Sequence, residues 1–173
     1  MRGRDFWKAV TVDQSEFLDE LVAILSREPV DYCVIGGQAV NAYVEPLVSL
    51  DLDLVVAADA LSRIDDLFGP SFQIERFPYS VNLAKAGSDL RVQIQTDPRY
   101  AEFLARAERR LVLGVSFLVA AVDDVLRGKV WAALDEKRRP SKRQKDLADI
   151  SRLLERFPEL RTLVPPAIGG RLL

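Results

Sequence analysis

Apolar and polar positions alternate with two different periods along this chain, and the changes of period divide it into elements. Between Ser15 and Ser26, Phe17, Leu18, Leu21, Val22 and Leu25 recur at helical spacing behind Ser15 as a candidate N-cap, which predicts a helix packed on a sheet. Val30 to Ile35 is a continuous apolar run and reads as a core strand. Gln38 to Val44 then reads as a short helix opened by Gly36-Gly37 and stopped at Glu45-Pro46. Leu50 to Ala57 returns to a period of two, and Ala60 to Phe68 is amphipathic and closed by Gly69-Pro70. Strands are predicted near Ser71 to Glu75, Ser80 to Ala86 and Leu90 to Gln95, the last two separated by Gly87-Ser88 as in a hairpin. Tyr100 to Ala107 reads as helix, and Arg109 to Leu113 and Val115 to Val119 as short strands around Gly114. Val122 to Leu134 and Lys142 to Phe157 are the closing helices, the second with an inward stripe of Leu147, Ile150, Leu153, Leu154 and Phe157. The tail after Pro158 reads as irregular.

Within this pattern the most informative stretch is Val30 to Ala57. Successive strand side chains alternate faces, so Asp51 and Asp53 project together while Leu50, Leu52 and Leu54 cover the opposite side. Two carboxylates on one strand face can hold a hard divalent cation. A glycine pair opening a helix offers backbone N–H groups and a positive dipole end to phosphates. Together they suit a metal-bound nucleotide, although each alone is also what an ordinary turn and a solvated strand face look like.

Composition narrows the chemistry further. The chain of 173 residues is 49% hydrophobic and 29% charged, the profile of one globular core. It has no histidine, which removes the Ser-His-Asp arrangement and every histidine-bearing zinc motif and leaves carboxylates and metal as the means of catalysis. A lone cysteine, Cys33, sits in the first apolar run and reads as core packing. A net charge of −2 argues against a bulk nucleic-acid binder and leaves room for a local basic patch. The first eight residues carry charge with no apolar signal core behind them, and Leu111 to Val122 is too short and interrupted to cross a bilayer, so a cytoplasmic protein without membrane association is expected.

The order Val34-Ile35-Gly36-Gly37-Gln38-Ala39-Val40-Asn41-Ala42-Tyr43, then Leu50-Asp51-Leu52-Asp53-Leu54-Val55-Val56, resembles the nucleotidyltransferase superfamily. More narrowly it is similar to the minimal, toxin-like AbiEii/AbiGii branch. The resemblance implies an α/β (α+β) fold, a mixed sheet flanked by helices, with a core over residues 1–120 and a C-terminal helical segment over 121–173 packed on the same domain. It also implies transfer of a nucleotide from an NTP to an RNA (tRNA) or protein acceptor, with Mg²⁺ or Mn²⁺ held by Asp51 and Asp53. Gly36 and Gly37 would meet phosphates by backbone. Just before the acids the family's Arg-x-Thr is here Leu47-Val48-Ser49, which keeps the hydroxyl of Ser49 and loses the cation. Late in the chain Arg143, Lys145 and Asp146 match an R-x-K-D element, so Arg143 and Lys145 would contact nucleotide, and Lys129 matches a weaker lysine position. A toxin of this type would have a cognate antitoxin as partner.

The chief departure lies on the third strand, Leu90-Arg91-Val92-Gln93-Ile94-Gln95, where the family's third carboxylate falls on Gln93. An amide can lend an oxygen to Mg²⁺ and cannot accept a proton near neutrality. Asp89 is a poor substitute, because four residues along a strand is roughly 13 Å; Asp97 needs a turn to return it. Gln93 therefore supports a second expectation, a degenerate nucleotidyltransferase fold that binds nucleotide or a partner without catalysis. A third is a structural domain whose acids are solvated. Trp131 and Tyr43 read as core aromatics.

Overall fold

The computed structural model describes residues 17–112 and 114–172, so the Ser15 cap and Leu113 fall outside the described residues. Seven strands form one mixed sheet: β1 (Tyr32–Ile35), β2 (Asp51–Val56), β3 (Gln73–Phe77), β4 (Ser80–Ala84), β5 (Arg91–Gln95), β6 (Glu108–Val112) and β7 (Val115–Val119), in the order β3-β4-β5-β2-β1-β7-β6. β2 runs parallel to β5 and antiparallel to β1, while β1 runs parallel to β7. Every residue of β1 is buried, as a continuous apolar run requires of a strand near the middle of a covered sheet.

Helices α1 (Phe17–Arg27), α2 (Gly36–Asn41), α3 (Ala58–Ser62), α4 (Ile64–Phe68), α5 (Val122–Leu134), α6 (Pro140–Arg156) and α7 (Pro166–Gly169) complete the fold with two 3₁₀ segments, Pro98–Arg106 and Pro158–Leu163. Among the described residues no helix is long and apolar enough to cross a membrane. Cys33 is fully buried, and burial first, with Asp124's charge behind it, pushes its thiol up to about 12.

Three expectations need correction. The segment read as one helix over Ala60 to Phe68 is two, broken at Arg63, whose backbone sits at φ −111° and ψ 12°. Ser62 Oγ donates to the Asp59 carbonyl at 2.7 Å, and such a side-chain bond competes with helix continuation. Tyr100 to Ala107 is 3₁₀ rather than α and begins at Pro98, where Asp97 accepts from the Arg99 backbone N–H. The tail is ordered: Pro158 and Pro166 each begin a helical segment instead of ending one, and fully buried Ile168 anchors it.

Candidate functional site

β2 presents its acids as its alternation requires. Leu52 and Leu54 are fully buried on one face while Asp51 and Asp53 are half-buried on the other. The parallel pairing with β5 sets Asp51 beside Arg91, Asp53 beside Gln93 and Val55 beside Gln95. Arg91 Nε lies 2.7 Å from Asp51 Oδ1, and Lys142 Nζ donates to Asp51 Oδ2 at 3.3 Å. Asp53 instead faces a cavity of about 100 Å³ whose other walls include Gly36, Gln93, Tyr100, Lys129 and Arg138. Burial pushes the Asp53 carboxyl up to about 6; Lys129 opposes this, Asp51 adds to it, and Arg138 and Lys142 oppose it again.

The glycine turn and the acid strand are fitted to one another. β1 pairs with β2 so that Ile35 lies beside Asp53, and the next residue, Gly36, has φ +68°. A Cβ at Gly36 would overlap Asp53 Oδ2, so the missing side chain is the room in which the carboxylate sits. Gly37 is less constrained, with Ser49 Oγ at 4.0 Å from where its Cβ would be. Buried Gln38 donates to the Ser49 carbonyl at 3.1 Å, and Asn41 bonds the Leu47 backbone on both sides, which pins the loop leading into Asp51. Ser49 Oγ accepts from the Asp51 backbone N–H at 3.3 Å.

α5 and α6 close the cavity with a buried ion network. Lys129 Nζ lies 3.0 Å from Asp146 Oδ1 and 2.7 Å from Asp149 Oδ2; Arg138 Nε lies 2.6 Å from Asp146 Oδ2, and Arg152 Nη1 2.8 Å from Asp149 Oδ1. Burial works to lower the Lys129 ammonium, and the two carboxylates outweigh it and leave it raised. Asp124, fully buried on the same cavity, is held by Arg106 and Arg127.

The structure thus brings Asp51, Asp53, Gly36, Gly37, Ser49 and Gln93 together, with Gln93 exposed at the cavity's wall. It does not bring Lys145, which is exposed on α6, while Asp149, its neighbour four residues on, turns to Lys129 and Arg152. Arg143 is half-buried with its Nε lacking a hydrogen-bond partner. The cation that reaches the acids from this helix is Lys142. Asp89 is exposed, and Asp97 is spent on Arg99. Trp131 packs on Phe103 and against Tyr100 as a core aromatic does, with Arg99 over its ring at 4.9 Å. Arg91, which contacts Asp51, shares the face of Gln93 by simple alternation, while Arg138 lines the cavity bound to Asp146.

The donor set can be tested against a divalent cation. Two carboxylates on one strand face and one amide oxygen are hard donors, and the Asp53 carboxyl, raised first by burial and then by the charge of Asp51, would be stabilised as the anion by a bound cation. Among the described residues no three acidic, cysteine or histidine side chains are grouped to hold a metal by themselves. The residues therefore fit an ion that arrives with phosphate oxygens of its own, as Mg²⁺ does.

No protein-family model matches the sequence, and no curated protein is similar to it in sequence. Solved structures are similar in fold. The antibiotic-resistance factor ANT(2'')-Ia matches at TM-score 0.60 with 13% identity, over 89% of this chain and 90% of that one. The fold is that of the nucleotidyltransferases. The lincosamide antibiotic adenylyltransferase LnuA, in a lincomycin-bound structure, matches at 0.55 with 13% identity over 83% of this chain and 99% of that one. A nucleotidyltransferase from Thermotoga maritima, itself assigned only provisionally, matches at 0.52 with 16% identity over 79% of this chain and 95% of that one. These likenesses reach the nucleotidyltransferase fold and do not single out the AbiEii/AbiGii branch.

Proposed function

We propose that this protein transfers a nucleoside monophosphate from an NTP to an acceptor hydroxyl. The observation that carries the reading is the pair Asp51 and Asp53 on one face of β2, with the Asp53 carboxylate seated in the space left by Gly36. Asp51 and Asp53 would hold Mg²⁺ or Mn²⁺, with Gln93 offering a neutral oxygen. A cation bound there supplies charge neutralisation at the phosphates.

In the reaction an acceptor oxygen forms a bond to the α-phosphorus, the bond from that phosphorus to the bridging oxygen breaks, and pyrophosphate leaves. Gln93 cannot take the hydroxyl proton. Asp51 and Asp53 would be ligands of the ion, so the hydroxyl proton passes to solvent water. Lys142 and the backbone at Gly36 and Gly37, rather than Lys145, would meet the phosphates. The small acid cavity adjoins a groove of about 630 Å³ with which it shares Gln95, Tyr100, Ala132 and Arg138. That volume suits a small-molecule or single-nucleotide acceptor.

The acceptors to try are RNA, protein and polyhydroxylated small molecules, the last because a related structure of ANT(2'')-Ia is a complex with adenylyl-2''-tobramycin. A toxin role with a cognate antitoxin would be one setting for such an enzyme, and this site's geometry gives it no particular support. The test is incubation with each α-labelled NTP, Mg²⁺ or Mn²⁺, and each acceptor class. Label should move in wild type and fail to move in Asp51→Asn and Asp53→Asn. The register of Gln93 against Asp53 favours the second reading, a nucleotide-binding domain without catalysis. That reading gains if no acceptor is labelled while Mg²⁺-ATP still binds, and if Gln93→Asp then gains transfer.

A further inference from the structure

We infer that this site takes a single divalent cation and that Arg91 supplies, as a side chain, the positive charge a second ion would bring. The inference rests on the nucleotide-transfer reading for its purpose, and on the pairing of β2 with β5 for its geometry. On the face that carries Asp51 and Asp53, the neighbouring strand β5 offers Arg91 and Gln93 at the two matching positions, a cation and a neutral amide. A second divalent ion shared across these strands needs another anionic oxygen there, and neither residue has one. Nor can the cavity's other carboxylates provide it. Asp124 has one oxygen on Arg106 and the other on both Arg106 and Arg127, and Asp146 has its two on Lys129 and Arg138.

Arg91 is also placed to act as the substitute. Its Nε is already bound to Asp51 Oδ1, while its side chain is 66% exposed, so the rest of the guanidinium is open to solvent beside the acid that would hold the ion. Guanidinium is charged at every accessible pH and its planar fork matches phosphate oxygens. Next to it Asp51 Oδ2 makes only the longer 3.3 Å contact with Lys142, the contact more readily exchanged for an ion.

The experiment counts metal directly. Mn²⁺ bound to the full chain is measured by electron paramagnetic resonance at saturation, with and without the non-hydrolysable analogue α,β-methylene ATP. Wild type should bind one Mn²⁺ per chain, and the double variant Arg91→Ala with Gln93→Asp should bind two. Arg91→Ala alone should still bind one ion and hold the analogue about tenfold more weakly. Arg91 is exposed, and circular dichroism confirms that the variants fold. Two ions in wild type, none, or an Arg91→Ala variant with undiminished affinity for the analogue would each overturn the inference. One ion without any affinity for the analogue would instead remove the transferase reading and leave the single-ion site standing.

Discussion

Asp53 is where burying a carboxyl costs the molecule stability. Its carboxyl is raised from an ordinary 3.8 to about 6 by burial, so the folded chain keeps this proton up to about pH 6 while the unfolded chain releases it near 3.8. The folded state then binds more protons than the unfolded one between those values, and stability falls as pH rises through that window and stays reduced above it. Converted at 1.36 kcal/mol per pH unit, the penalty at pH 7 is of the order of 2 to 3 kcal/mol. Asp53→Asn removes the charge and keeps the shape. In metal-free buffer it should unfold at higher urea than wild type at pH 7, by an amount of that order, with the difference closing as pH approaches 4. The same substitution should abolish transfer, so a variant that is both more stable and inactive is the expected signature. A Gln93→Asp variant should show the opposite trend at pH 7, because it adds a carboxylate beside Asp53.

At the scale of elements, the β1–α2 turn assigns different tasks to its two glycines. Gly36 has a positive φ and its missing Cβ makes room for Asp53 Oδ2, so Gly36→Ala meets both a backbone cost of about 1 to 2 kcal/mol and a displaced carboxylate. Gly37 lies within α2 with nothing nearer than Ser49 Oγ at 4.0 Å, and Gly37→Ala should be neutral or stabilise by about 0.5 to 1 kcal/mol. Thermal unfolding checks the stabilities, and calorimetric titration with Mg²⁺-ATP should show affinity lost in the first variant and kept in the second. The sequence marked the glycine pair and the two acids because a period of two and a turn are local signals. It could not divide labour between Gly36 and Gly37, since that depends on which residue of β2 lies across from Ile35. Alternation puts Arg91 on the face of Gln93, but its partner Asp51 is far away in sequence and meets it only through the parallel register. The break at Arg63 and the ordered tail were missed because a serine bonding its own helix and a proline starting one look like ordinary turn residues.

Over the whole molecule, one buried ion network joins the helices to the acid strand. Lys129 of α5 holds Asp146 and Asp149 of α6, and Arg152 of α6 continues to Asn41 Oδ1 at 3.2 Å and the Glu45 carbonyl at 2.5 Å, which fasten the loop ahead of β2. The sequence offered Arg143 and Lys145 of the late basic run as the nucleotide contacts. Only the packing of α5 on α6 separates Arg138 and Lys142, which turn to carboxylates, from Lys145, which stays in solvent. Removing the central charge therefore has a defined consequence. Lys129→Met leaves Asp146 and Asp149 buried with an arginine each and no shared ammonium, and such a broken buried pair costs about 3 to 5 kcal/mol. Lys145→Met should change stability by less than about 0.5 kcal/mol, because it is exposed and makes no ion pair among the described residues. The triple variant Lys129→Met, Asp146→Asn, Asp149→Asn removes the uncompensated charges together and should recover much of the loss, which urea unfolding of the three proteins measures. Recovery in the triple variant would assign the cost to unpaired carboxylates. Equal loss in the single and triple variants would assign it to the packing of the lysine stem between α5 and α6. In either case the Asp53 carboxyl, which Lys129 now holds down, should rise further once that ammonium is gone.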